Sequence, residues 1–123
     1  MANPVKVVDI DFVDRSTYSH TYEVLDYNGD VVPLTGFTAK MQIRESPAGV
    51  VIYTASDALG TISINEADGT VDLLIPGEDV DDFDFGTDSK ALYDLFVISP
   101  AGNPYAVARG KCRKHTSITD PFA

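Results

Sequence analysis

Few folds can accommodate residues 91–115, ALYDLFVISPAGNPYAVARGKCRKH. Two β-rich runs flank the turn cluster Pro100-Ala101-Gly102-Asn103-Pro104. Leu92, Tyr93, Leu95, Phe96, Val97 and Ile98 are bulky, aromatic or β-branched, which suits a pleated and largely buried strand. Beyond the turn, Tyr105, Val107 and Arg109 alternate with Ala106, Ala108 and Gly110, and that period of two predicts one bulky and one small face. The two runs read as a long hairpin in the centre of a sheet.

The rest of the chain repeats the theme in shorter units. Val5 to Phe12 predicts a first strand, with Lys6, Asp9 and Asp11 on its wetter side, and Asp14-Arg15-Ser16 a turn. Thr17 to Leu25 is a second strand, closed by Asn28-Gly29, which supplies the positive φ of a tight reversal. Val31 to Leu34 is short, and Pro33, with no N–H to give a ladder, confines it to an edge strand or a kink. Phe37, Ala39, Met41 and Ile43 alternate with Thr38, Lys40, Gln42 and Arg44, the cleanest two-sided strand of the chain. Val50 to Thr54 follows, then Thr61 to Asn65 and Thr70 to Ile75, joined through Asp68-Gly69 as a hairpin. The acidic run Glu78 to Asp88 predicts one short helical turn near residues 78–84, or a knotted loop, capping the sandwich edge with Phe83 and Phe85. No apolar pattern of period 3.6 is sustained anywhere. About eight short strands separated by turns predict an all-β fold, an antiparallel sandwich of immunoglobulin-like or jelly-roll-like type, in a single domain over 1–123 with short polar ends.

Charge narrows the function classes. The net charge is −10, against nucleic acid or an anionic membrane surface as partner, since both need a basic footprint. The start, MANPVKVVDI, has no charged segment leading into a long apolar core, so no secretory signal is expected, and no apolar run is long enough for a membrane span. Cys112 is the one cysteine and is expected to pack as a small hydrophobe. Between Asp57 and Asp94 the chain carries eleven acids and one base, Lys90, whereas Arg109, Lys111, Arg113 and Lys114 make the end of the chain basic.

Catalytic and metal-binding patterns are missing from the sequence. No Gly-x-Ser-x-Gly elbow or phosphate-cradling glycine loop occurs, and no small-molecule substrate, cofactor or enzyme activity is expected. The acidic run lacks the glycine and closing glutamate of a twelve-residue calcium loop. His20 and His115 have no second zinc ligand at metal spacing. His20 is expected at a surface or sheet edge. The residues put forward for partner binding are Asp79, Asp81, Asp82 and Asp84 of the acidic run, with Arg109, Lys111, Arg113 and Lys114 of the basic end. A carbohydrate-binding module is an alternative, from the six tyrosines, weakened by the absence of tryptophan.

Three segments carry a family resemblance. Leu34-Thr35-Gly36-Phe37-Thr38-Ala39-Lys40-Met41-Gln42-Ile43-Arg44 is the first, and Asp68-Gly69-Thr70-Val71-Asp72-Leu73-Leu74-Ile75-Pro76 with its acidic turn the second. The third is Tyr93-Asp94-Leu95 followed by Ser99-Pro100-Ala101-Gly102 and Arg109-Gly110-Lys111. In order and spacing, from Leu34 to Thr116, they resemble small tail- and baseplate-associated, fibre-attachment-like structural proteins of tailed bacteriophages. The resemblance implies a non-enzymatic docking module of the virion, assembled in the host cytoplasm. Its partners would be other virion structural proteins and copies of itself. A head decoration protein of the capsid is the alternative placement.

Overall fold

Alternation along the longest strands decides which side of the chain is buried. In the computed structural model, which describes residues 4–83, 85, 90–116, 118, 119 and 121, β8 (Lys90–Ile98) buries Ala91, Tyr93, Leu95 and Val97 and turns Leu92, Asp94, Phe96 and Ile98 the other way. It is the first arm of the expected hairpin, pairing antiparallel with β9 (Pro104–His115). On its other side β8 pairs with β4 (Thr38–Arg44), and β4 with β5 (Val51–Ser56). The outer edge of β9 carries two short parallel strands, β1 (Lys6–Val7) and β2 (Ile10–Val13). The hairpin therefore lies inside a six-stranded mixed sheet. A three-stranded antiparallel sheet runs in the order β3 (Tyr18–Glu23), β7 (Thr70–Ile75), β6 (Ile62–Asn65). The fold is all-β and sandwich-like, as the spacing of strands and turns predicts.

The inner faces of the two sheets supply one continuous core. Ile10 and Phe12 of β2, Met41 and Ile43 of β4, Leu95 and Val97 of β8, and Val71, Leu73 and Ile75 of β7 are all buried. Burying each such side chain contributes about 1.5–3 kcal/mol. Cys112 belongs to this core, and burial pushes its thiol up to about 12, so it packs as a hydrophobe. The sheets are also joined by polar groups. Tyr93 on β8 donates to the Val8 carbonyl at 2.5 Å and accepts from Tyr22 on β3 at 3.3 Å. Burial raises Tyr22 to about 12 against the opposing pull of the Tyr93 hydrogen bond, and burial together with Tyr22 raises Tyr93.

One end of the sandwich is closed by α1 (Gly77–Asp81), the short helix expected in the acidic run, and by the aromatic pair that follows it. Phe83 and Phe85 stack on each other and meet Phe12 edge-on, at centroid distances of 5.8 Å, 5.1 Å and 6.3 Å.

Three sequence expectations are corrected. The first strand is split, because Val8 and Asp9 leave the ladder between β1 and β2. Val31 to Leu34 forms no strand: Val31 makes only an isolated bridge to Leu25, and the N–H of Leu34 bonds to the Glu66 carbonyl. The uniform two-face pattern of β9 is broken by a bulge. Leu95 pairs with Ala108 but Phe96 pairs with Ala106, leaving Val107 as the extra residue. Before the bulge Tyr105 shares the core side with Val97, and after it Ala108, Gly110 and Cys112 do. An extra residue reverses the sense of alternation, so Arg109 faces away from the side that Tyr105 and Val107 face.

Candidate docking surface

The β9 bulge sets the charge layout. Arg109, Lys111 and Arg113 all project from the outer face of the large sheet and are exposed. Their neighbours by register extend the patch. Lys90 pairs with Arg113, while Leu92 lies between Lys111 and Arg44, and Phe96 pairs with Lys40. Six of the nine Lys and Arg residues (Lys40, Arg44, Lys90, Arg109, Lys111, Arg113) thus share one sheet face. From strand spacing and rise, the patch measures roughly 10 Å by 20 Å. Asp94 sits within it and Asp11 at its margin, where His115 bonds to Asp11 at 3.1 Å. Among the described residues none of the six bases makes an ion pair; Arg44 donates to the Gly49 carbonyl and to Gln42.

The opposite face of the sandwich has no counterpart to this. β3, β6 and β7 contain no lysine or arginine. Their outward residues are Ser19, Thr21 and Glu23, then Thr70, Asp72 and Leu74, then Ser63 and Asn65. Thr21 donates to Asp72 at 2.6 Å. No base occurs anywhere from Glu45 to Ser89. The molecule is electrostatically two-sided.

The sequence-predicted residues divide into two groups. Arg109, Lys111 and Arg113 lie together on the basic face. Lys114 points the other way, toward the core end, and is three-way bound. It donates to the carbonyls of Asp81 and Phe83 at 3.0 Å each and lies 3.5 Å from Asp14 Oδ1. The lysine therefore serves the carbonyl end of α1, where a cation is favoured. Asp81 also faces Arg15 at 3.6 Å, and Asp79 accepts from Tyr53 at 2.7 Å. Burial first, then the Asp79 carboxylate, raises the Tyr53 phenol. The Asp82 side chain is exposed, and Asp84 lies outside the described residues. So Asp79, Asp81 and Lys114 are engaged in holding α1 on the sandwich. Lys40, Arg44 and Lys90 were not among the expected binding residues. The alternation of Thr38, Lys40, Gln42 and Arg44 marks that side as solvent-facing, but which strands adjoin it becomes visible only in the sheet order.

The α1 anchor carries a pH signature. Asp14 is pulled up by desolvation, but the Asp81 carboxyl, Lys114 and Arg15 together outweigh this and hold it below the usual carboxylate range. Asp81 is raised, chiefly by its hydrogen bond to Asp14. A lowered folded-state value stabilises above the unfolded pKa, and that gain is lost as pH falls through the folded value. Lys114→Met is expected to cost about 1–3 kcal/mol at neutral pH, by removing the bonds to the Asp81 and Phe83 carbonyls and one of the two cations, Lys114 and Arg15, beside the Asp14 carboxylate. The deficit should shrink in acid as Asp14 protonates. Urea denaturation of both proteins across that range measures it; a deficit independent of pH would remove Asp14 from the explanation.

Among the described residues no group of three or more His, Cys, Asp or Glu is arranged to hold a metal ion, and no helix is long and apolar enough to cross a membrane. The fold and its surface define a β-sandwich with one basic and one base-free sheet face. No protein-family model matches the chain, and no curated protein matches it.

Proposed function

We propose that the chain is a non-catalytic docking module of a tailed-bacteriophage particle, acting at the tail, baseplate or fibre-attachment region. The observation that carries this reading is the two-sided charge: six bases gathered on one sheet face of a chain with net charge −10. Such segregation suits gripping a complementary protein surface and setting its orientation. The resemblance of Leu34 to Thr116 to tail- and baseplate-associated proteins supplies the setting. In a symmetric particle, many individually weak contacts add to a tight attachment.

The test is the protein's place in the particle. Mass spectrometry of purified virions should find the chain, and electron microscopy with a tagged copy should place it at the tail. Label over the capsid surface would move the role to head decoration. Absence from the virion would overturn the reading.

A further inference from the structure

We propose that the basic outer face of the six-stranded sheet docks onto the outer face of β3–β7–β6 of a second copy, head to tail. The inference deepens the docking reading by naming the surface and its occupant. Four observations carry it. First, Lys40, Lys90, Arg109, Lys111 and Arg113 are exposed and, among the described residues, without an ion pair. Second, the other face of the same molecule presents Glu23 and Asp72 among hydroxyl and amide side chains, with no base on any of its three strands. Third, each face has an aliphatic residue among its polar groups: Leu92 between Lys111 and Arg44, and Leu74, 51% exposed, on β7. Leu74 stands at one end of its face, one outward position along β7 from Asp72, so the contact would add apolar area beside its charged groups. Fourth, the two faces lie on opposite sides of the sandwich, so the contact is heterologous and joins copies into a row or a closed ring.

The overall charge does not forbid this. Two chains of net −10 repel at long range, but at physiological salt the Debye length is about 8 Å. Facing side chains within that distance outweigh more remote acids. A nucleic acid would also find six bases here, yet a polyanion extending past the patch meets the acidic remainder, so a protein surface of matching shape is favoured. Size sets the strength. Three strands of about six residues present roughly 300 Å², so the contact falls well below the 1,200 Å² or so of a stable complex. Single contacts are weak, and assembly needs high local concentration or a particle to template it.

The experiment uses the full chain. Amide NMR shifts are followed from dilute to millimolar protein, for the wild type, for R109E/K111E and for E23K/D72K. These side chains are exposed, so each variant should keep the wild-type fold, checked by circular dichroism and melting temperature. Concentration-dependent shifts are expected on β4, β8 and β9 and on β3, β7 and β6, weakening as salt is raised. Each variant alone should associate about tenfold more weakly, or less still. Mixed one to one, the variants should associate again, because the basic face of E23K/D72K meets the acidic face of R109E/K111E. Absence of shifts at every concentration, shifts confined to the edges β1 and β5 of the large sheet, association that strengthens with salt, or no rescue on mixing each overturns the inference. So does saturation of the basic face by single-stranded DNA without self-association. A chain that stays on virions when its purified form fails these tests loses this inference and keeps the docking role.

Discussion

Phe12→Ala is expected to lower the unfolding free energy by about 3–5 kcal/mol. Phe12 has no exposed surface, and its ring meets three others edge-on: Tyr18 at 5.1 Å, Phe83 at 5.1 Å and Phe85 at 6.3 Å. Those partners come from β3 and from the segment after α1, so one side chain ties the large sheet, the small sheet and the end cap together. Tyr53 of β5 also reaches Phe83, at 4.9 Å, while its hydroxyl holds Asp79. A cavity here cannot collapse easily, because its walls are fixed from different strands. Aromatic pairing adds about 0.5–1.5 kcal/mol per pair beyond area burial. Urea denaturation measures the loss. A change below about 1 kcal/mol would mean that the end of the sandwich repacks freely and that Phe12 does not organise it.

Gly110→Val is expected to detach the N-terminal strands, at a cost on the order of 3 kcal/mol. A Cβ on Gly110 would overlap the Val8 carbonyl oxygen and crowd the Asp9 carboxylate. That approach is what lets the Val8–Asp9 step bend into the sheet. Around it the Val8 N–H bonds to Arg109 at 2.8 Å, the Lys111 N–H bonds to Asp9 at 2.9 Å, and Tyr93 bonds to the Val8 carbonyl. Gly110 stands opposite Tyr93, so the missing side chain and the reaching phenol belong to one device. Hydrogen exchange distinguishes the outcomes. Fast exchange limited to the amides of β1, β2 and their β9 partners is the expected result. Unchanged protection there would show that the Val8–Asp9 step does not depend on glycine.

Much of the fold is legible in the sequence because its cause is local. Alternation in residues 37–44 and 91–98 marks the inward faces of β4 and β8, and Asp68-Gly69 marks the β6–β7 hairpin, where Gly69 adopts φ +63°. The acidic run announces α1 because Pro76 stops β7 and two phenylalanines follow close behind. Features set by partners distant in sequence are not legible in this way. The bulge at Val107 leaves no mark in a run of small and branched residues, yet it decides that Arg109, Lys111 and Arg113 face outward. Lys114 looks like a fourth member of that basic end, and only its position over the end of β2 and α1 shows that it faces the core. Phe12 pairs with Lys114 in the β2–β9 register, which places the ammonium next to the aromatic cap. Lys40, Arg44 and Lys90 come from separate stretches and join the patch only through the order β9–β8–β4.

The most direct test of the two-sided surface is the acylation rate of each lysine, read by mass spectrometry, in dilute protein and at millimolar concentration. Lys40, Lys90 and Lys111 should react readily when dilute and become protected together on concentration. Lys114 should react slowly in both, and Lys6 should be unaffected by concentration. Slow labelling of Lys40, Lys90 or Lys111 in dilute protein, or protection on concentration at Lys6 alone, would contradict it.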